Sequence, residues 1–172
     1  MNNKLNTEIA ESIREFHFPK YSEIPDIGLF LEQVSKYISG FFEPLGSAAI
    51  TGSMISNYVK KGLVENPIKK QYYREQIAQL IFIAAAKTVL PLEDIQLLLR
   101  IQKEKYDCSI AYEYFCSEFE KLLLYKAGLG EEPEDVESDA SDEKIMLRMT
   151  ILTAVHKIYL DKYFEKMQQS DL

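Results

Sequence analysis

The chain has 172 residues, of which 47% are hydrophobic and 27% charged, and its formal net charge is −7 at pH 7. This length fits one domain, or one domain with a small appendage, and the composition argues against a disordered or fibrous chain. Two cysteines are too few for a disulfide framework and suit a reducing compartment. The N-terminus lacks the apolar core of a signal peptide, and no apolar run is long enough for a membrane span, so we expect a cytoplasmic protein.

Apolar residues recur at helical spacing through most of the chain. They predict helices at residues 4–16, 26–42, 53–61, 73–89, 92–103, 108–126 and 142–168. Asp26 and Thr51 are expected N-caps, and Gly62 stands where a left-handed residue ends a helix. Residues 63–72 contain Asn66-Pro67 and are expected to form a turn or a small hairpin. Because no other strand run is convincing, the predicted fold class is all-α.

The charge is distributed unevenly along this predicted helical chain. Residues 131–143 hold eight acidic residues and no basic one, whereas residues 51–74 hold five basic residues and one acidic residue. The acidic stretch cannot bury enough apolar surface to fold alone, so we expect a loop or linker there. The basic window is the electrostatic feature most relevant to function.

Two regions are expected on either side of residue 105. Residues 1–105 would form a domain with an N-terminal helical extension, and residues 106–172 a helical region interrupted by the acidic linker 131–143. The helical region at residues 106–172 would either supply a dimer contact or cover the core of the first domain. In its final helix the expected core stripe comprises Ile145, Met149, Leu152, Val155 and Tyr159.

The short helix predicted at 53–61 has a polar side. Its polar residues at positions i, i+3, i+4 and i+7 share one face, and they are Ser53, Ser56, Asn57 and Lys60. Serine and asparagine hydrogen-bond base edges or phosphates, and lysine neutralises phosphate. This face, followed by a basic turn, is typical of an element that reads a DNA groove, although many surface helices also have a polar face.

The order of anchor residues resembles the winged helix-turn-helix of the mercury-resistance-regulator (MerR) family over residues 50–99. The matching positions are Tyr58, Gly62-Leu63, Tyr73, Ile77-x2-Leu80-x2-Ile83 and Leu92-x2-Ile95-x2-Leu98. The flank from Phe18-Pro19 through Asp26 is similar to an uncharacterised bacterial family of unknown function that is grouped with these regulators.

The resemblance implies a recognition helix at 53–61 and a basic wing at 64–72. Tyr58, Lys60, Lys61, Lys69, Lys70 and Arg74 would then contact phosphate or lie close to it. The resemblance also implies a homodimer, since such regulators read two half-sites. The chain departs from the family at Ser56 and Gln71, where the family usually has arginine.

We therefore expect a transcriptional regulator that binds duplex DNA, with no cofactor, no metal and no membrane association. The missing arginines and the negative net charge favour an alternative, a protein-interaction module that keeps the scaffold without binding DNA. An unidentified effector or protein partner also fits the C-terminal region. No Ser/His/Asp grouping, glycine-rich phosphate loop or HExxH motif is present, so we do not expect an enzyme.

Overall fold

The structure is a computed structural model that describes residues 2–46, 50–134 and 140–170. The described residues form seven α-helices: α1 Asn2–Ile13, α2 Leu31–Phe42, α3 Gly52–Lys60, α4 Arg74–Ala86, α5 Leu92–Lys105, α6 Cys108–Lys126 and α7 Asp142–Ser170. Two short strands, β1 Leu29–Phe30 and β2 Gln71–Tyr72, pair antiparallel. The predicted all-α class is confirmed.

The core is built around α4, which packs against α2, α5, α6 and α7. From Ile77 onward its sequence is apolar except for Gln79, and eight of its thirteen residues are buried. A helix that is apolar on all sides is expected at the centre of a fold. One cluster of buried side chains runs from Ile9 in α1 to Tyr159 in α7 and joins both predicted regions.

Several helix ends lie where the local signals predict them. The predicted helix 108–126 coincides with α6. Thr51 caps α3, because its Oγ1 accepts a hydrogen bond of 3.2 Å from the amide of Met54. Gly62 follows α3 with a φ of +77°, the left-handed conformation that glycine adopts without steric cost.

The prediction that a helix starts at Asp26 is wrong. The helix starts at Leu31, after strand β1 has paired with β2. The Asp26 carboxylate instead accepts a hydrogen bond of 3.2 Å from the backbone amide of Arg74, the first residue of α4. Asp26 therefore stabilises a helix start that is distant in sequence.

The predicted core stripe of α7 is only partly correct. Val155 and Tyr159 are buried, but Ile145 and Met149 are 43% and 58% exposed. The helix buries Ile151 and Ile158 instead. Because α7 carries apolar residues on two sides, helical periodicity alone does not identify the side that faces the core.

Candidate nucleic-acid interface

Two buried residues fix the orientation of α3. Ile55 is fully buried and Tyr58 is 3% exposed, and both belong to the main core cluster. The opposite side of the helix is exposed to solvent. It carries the four residues predicted to share a face, Ser53, Ser56, Asn57 and Lys60.

The end of α3 is held by its own terminal hydrogen bond and by a contact from α5. The amide of Leu63 donates a hydrogen bond of 2.9 Å to the carbonyl of Tyr58, which closes the helix end around Gly62. The Gln96 side chain of α5 donates a hydrogen bond of 3.0 Å to the carbonyl of Lys61. These contacts fix the backbone that carries Lys60 and Lys61.

A two-residue turn lies beyond α3, with Lys69 and Lys70 at its tip. Ile68 and Gln71 flank the tip and exchange backbone hydrogen bonds of 3.0 and 2.9 Å. Lys69 and Lys70 have φ values of +51° and +67°, a conformation that residues with a side chain rarely adopt. Tight hairpin turns of this kind favour Asn-Gly. Residues held in such rarely populated backbone conformations cluster at functional sites.

The turn is attached to the core on both sides. Tyr72 pairs with Leu29, and Gln71 pairs with Phe30, in the small antiparallel sheet. The Gln76 side chain of α4 donates hydrogen bonds of 3.1 and 3.2 Å to the carbonyls of Glu65 and Asn66. The tip is therefore presented from a firmly held base.

Four lysines give this surface its positive charge. Lys60, Lys61, Lys69 and Lys70 are exposed, and none forms an ion pair with another residue in the described ranges. Glu65, the acidic residue of the same window, pairs with Lys103. The hydrogen bond from Lys103 lowers the pKa of Glu65. Because Glu65 pairs with Lys103, it offsets little of the charge of the four lysines.

Tyr58 and Arg74 do not lie where the resemblance implies. The Tyr58 side chain is buried in the core, so it does not belong to the exposed surface. The Arg74 guanidinium donates a hydrogen bond of 2.9 Å to the carbonyl of Ile24 and lies 3.8 Å from the Asp26 carboxylate. It also lies 5.8 Å from the centre of the Tyr21 ring. Arg74 therefore holds α4 to the loop that precedes β1.

Sequence reasoning missed Gln76 and Gln96, which position the turn and the end of α3. It also missed Glu32, whose carboxylate lies beside Gly52 at the start of α3. An acid at a helix N-terminus is favourable. Here it also places negative charge near Ser53, so the electropositive part of the face is the half from Asn57 to Lys61.

The described residues contain no group of three or more His, Cys, Asp or Glu side chains placed to hold a metal ion. Both cysteines lie on α6, where burial raises the pKa of the Cys108 thiol to about 11 and also raises that of Cys116. Among the described helices none is long and apolar enough to cross a membrane.

Residues 19–116 match the family model of a domain of unknown function (DUF1836). Since this match covers more than half of the chain, the protein belongs to that family. The matched segment includes α3, the turn at Lys69 and Lys70 (the lysine turn) and α4, whereas α7 lies outside it. No curated protein and no solved structure matches the chain.

Proposed function

We propose that this protein is a transcriptional regulator of MerR-like type that binds duplex DNA through α3 and the Lys69–Lys70 turn. The observation that carries the proposal is a set of four exposed lysines beside an exposed polar helix face, and none of these lysines forms an ion pair within the described part of the chain. The order of elements supports it, because two helices, α2 and α3, precede a hairpin turn that leads into α4. This is the order expected from the winged helix-turn-helix resemblance.

The two parts of the surface would have different roles on DNA. Ser56 and Asn57 on α3 offer hydrogen-bonding groups to base edges in the major groove. Lys60 and Lys61 follow them at the end of the helix, and Lys69 and Lys70 project from the turn, so these charges suit phosphates. Four phosphate contacts give a salt dependence with a log-log slope of about −3.6.

The proposal includes a homodimer formed through the exposed side of α7. Five apolar side chains on this side are between 39% and 58% exposed: Met146, Met149, Leu160, Phe164 and Met167. Exposed Thr153 lies on the same side. Between the first and last of these residues the helix extends about 32 Å.

A second copy of α7 is the partner that this side fits, because its pattern is symmetric about its middle. Met146 and Met167 are equally far in sequence from the midpoint between His156 and Lys157. Met149 and Phe164 form a second equidistant pair, and Thr153 and Leu160 form a third. An antiparallel pair of α7 helices with a two-fold axis at the midpoint would bring apolar residues opposite one another in the first two pairs and Leu160 opposite Thr153 in the third.

The charge near that midpoint is compatible with such an axis. Lys157 would lie close to its own copy across the axis, where two lysines would repel each other. The Asp161 carboxylate lies 2.7 Å from the Lys157 ammonium through its Oδ1 atom and offsets this charge. The central contact is therefore electrostatically acceptable for a symmetric dimer.

DNA binding is tested by the double substitution Lys60→Glu with Lys69→Glu. The control is Lys4→Glu with Lys126→Glu, which makes the same change in net charge at two exposed lysines elsewhere. With fluorescently labelled duplex at low salt, we expect the first variant to lose binding and the control to bind like the original protein. Equal binding by both variants would contradict the proposal.

The dimer is tested separately by sedimentation equilibrium of the variant Leu160→Glu. We expect this substitution to give a monomer, because it would place a charge opposite Thr153 within an apolar contact. The control Ile27→Glu alters an apolar residue that is 84% exposed outside α7 and should keep the dimer. A monomeric original protein would refute this part of the proposal.

The alternative function is a protein-interaction module with the same scaffold. The observation that favours it is that Arg74, the one arginine of the basic window, is bonded to the loop before β1. Ser56 and Gln71 also stand where the resemblance to the MerR family implies arginine. A folded, dimeric protein that shows no salt-dependent affinity for duplex DNA would support this alternative.

A further inference from the structure

A cavity of about 300 Å³ lies between α4, α5, α6 and the first turns of α7. Its walls are mainly aromatic and aliphatic, and they include Phe82, Leu98, Ile110, Phe115 and Leu147. This volume is at the lower end of the range of about 300–1,000 Å³ found for small-molecule sites. The cavity is separate from α3 and from the lysine turn, none of whose residues line it.

The charged residues at the cavity already have partners in the protein. Glu143 accepts a hydrogen bond of 2.7 Å from the Lys105 ammonium. The Lys144 ammonium lies 6.0 Å from the centre of the Tyr114 ring. Cys108 also lines the cavity, and its thiol is protonated at neutral pH because burial raises its pKa to about 11. A charged ligand would therefore lose hydration without meeting an unpaired opposite charge.

Two side-chain amides line the cavity wall, those of Gln79 and Gln102, and they differ in the hydrogen bonds they already make. Gln102 donates to the carbonyl of Tyr106 at 2.8 Å, and the Tyr112 hydroxyl donates to the carbonyl of Pro19 at 2.9 Å. The Gln79 amide, by contrast, makes no hydrogen bond to any other described residue. An amide supplies both a donor and an acceptor, so it can orient one polar group of a ligand.

We infer that this cavity is a binding site for an uncharged, mainly apolar aromatic molecule that carries one hydrogen-bonding group, with Gln79 as its polar contact. The aromatic side chains Phe82 and Phe115 lie 5.2 Å apart with their rings nearly perpendicular, and both line the cavity. An aromatic ligand ring packs well against such faces and edges. This inference does not depend on DNA binding.

The first test is a calorimetric titration of the full-length protein with 1-naphthol. We expect saturable binding of one molecule per chain to the original protein. Ala111→Trp, which fills the cavity from α6, should weaken it by at least about tenfold, a loss of about 1.4 kcal/mol. Ser117→Trp is the control, because Ser117 is exposed on the same helix and does not line this cavity.

A second filling variant, Ile110→Trp, keeps the test informative if Ala111→Trp does not fold. Ile110 also lines the cavity and is 61% exposed, so a larger side chain is tolerated there. Absence of saturable binding to the original protein would overturn the inference. So would 1-naphthol affinity that is unchanged in a folded filling variant.

The chemical class of the ligand is tested with related probes. We expect 1-naphthol to bind more tightly than naphthalene-1-sulfonate and 1-naphthylmethylammonium, which carry opposite charges. Gln79→Leu should weaken 1-naphthol by about two- to tenfold, the range of net hydrogen-bond contributions, and leave naphthalene nearly unchanged. Equal or tighter binding of either charged probe would contradict the assignment of an uncharged ligand.

Discussion

The Asp26 carboxylate accepts a hydrogen bond from the backbone amide of Arg74, at 3.2 Å and 48 residues along the chain. The side chains of these two residues also form an ion pair of 3.8 Å. Asp26 thus provides the side-chain acceptor that Tyr73, the residue before α4, does not. This link joins the loop before β1 to the end of the lysine turn, and it removes Arg74 from the surface proposed to bind DNA.

Asp26→Ala should destabilise the protein by about 0.5–2 kcal/mol, the usual range for removal of a capping side chain. The cause is the loss of an acceptor for the first amide of α4, together with a partly exposed ion pair. Urea unfolding monitored by circular dichroism measures the change. Asp94→Ala is the control, since Asp94 lies in the first turn of α5 and accepts no capping hydrogen bond. An equal, small effect of both substitutions would refute the capping role.

Glu118 and Arg148 form a buried ion pair that joins α6 to α7. We expect Arg148→Met to destabilise the protein by about 3–5 kcal/mol, because it leaves the Glu118 carboxylate buried without its main partner. The double variant Glu118→Leu with Arg148→Met should recover much of this loss. Urea unfolding of the two single variants and the double variant forms the required cycle. Additive losses would contradict the pairing.

The stability of the protein should depend on the ionisation of Glu120. Burial raises the pKa of this carboxyl above its ordinary value of 4.5, although the hydrogen bond from the Phe18 amide lowers it in part. The folded state therefore binds this proton more tightly than the unfolded chain does. The stabilisation is fully present below the unfolded pKa and is lost as the pH rises through the folded pKa.

Glu120→Gln keeps an acceptor for the Phe18 amide and removes the ionisation. Relative to the original protein, this variant should gain stability as the pH rises from about 4 to about 7. Urea unfolding at several pH values measures the difference. Glu104→Gln is the control, because Glu104 is exposed on a different helix, α5. A constant difference across this pH range would rule out the expected contribution of Glu120.

The two lysines of the lysine turn should lower the stability of the protein and strengthen its binding to DNA. Lys69→Asn with Lys70→Gly introduces the residues that a tight hairpin turn favours, so we expect the free energy of unfolding to rise by about 1 kcal/mol or more. The same variant should reduce the salt slope of DNA binding by about 2, because two phosphate contacts are lost. Thermal unfolding and binding at several salt concentrations provide the two measurements.

The control for that variant is Lys69→Gln with Lys70→Gln. It removes both charges but keeps two side chains at positive φ, so DNA binding should weaken without a gain in stability. If both double variants bind DNA as tightly as the original protein, the turn does not contact phosphate. If neither becomes more stable than the original, the turn is not strained.

Local signals predicted much of the fold. Thr51, Gly62 and the boundaries of α6 follow from capping chemistry and from helical periodicity, which act over a few residues. The polar face of α3 was predicted for the same reason. These features are decided within one or two helical turns, so the sequence is sufficient to find them.

The remaining features depend on contacts between distant residues. Gln96 supports the carbonyl of Lys61 from 35 residues away, and no sequence spacing indicates that contact. The burial of Tyr58 does not fit the DNA contact that the resemblance implies for it. The exposed side of α7 could not be distinguished from its buried side, because both carry apolar residues.

Selection of duplexes from a random DNA pool tests the central claim most directly. Purified protein would be mixed with the pool at about 0.1 M salt, where phosphate contacts still contribute strongly. The proposal predicts enrichment of a two-fold symmetric motif, with half-sites about one helical turn apart or a multiple of it. DNA binding would be contradicted if folded protein enriched no motif and also failed to bind random duplex at low salt.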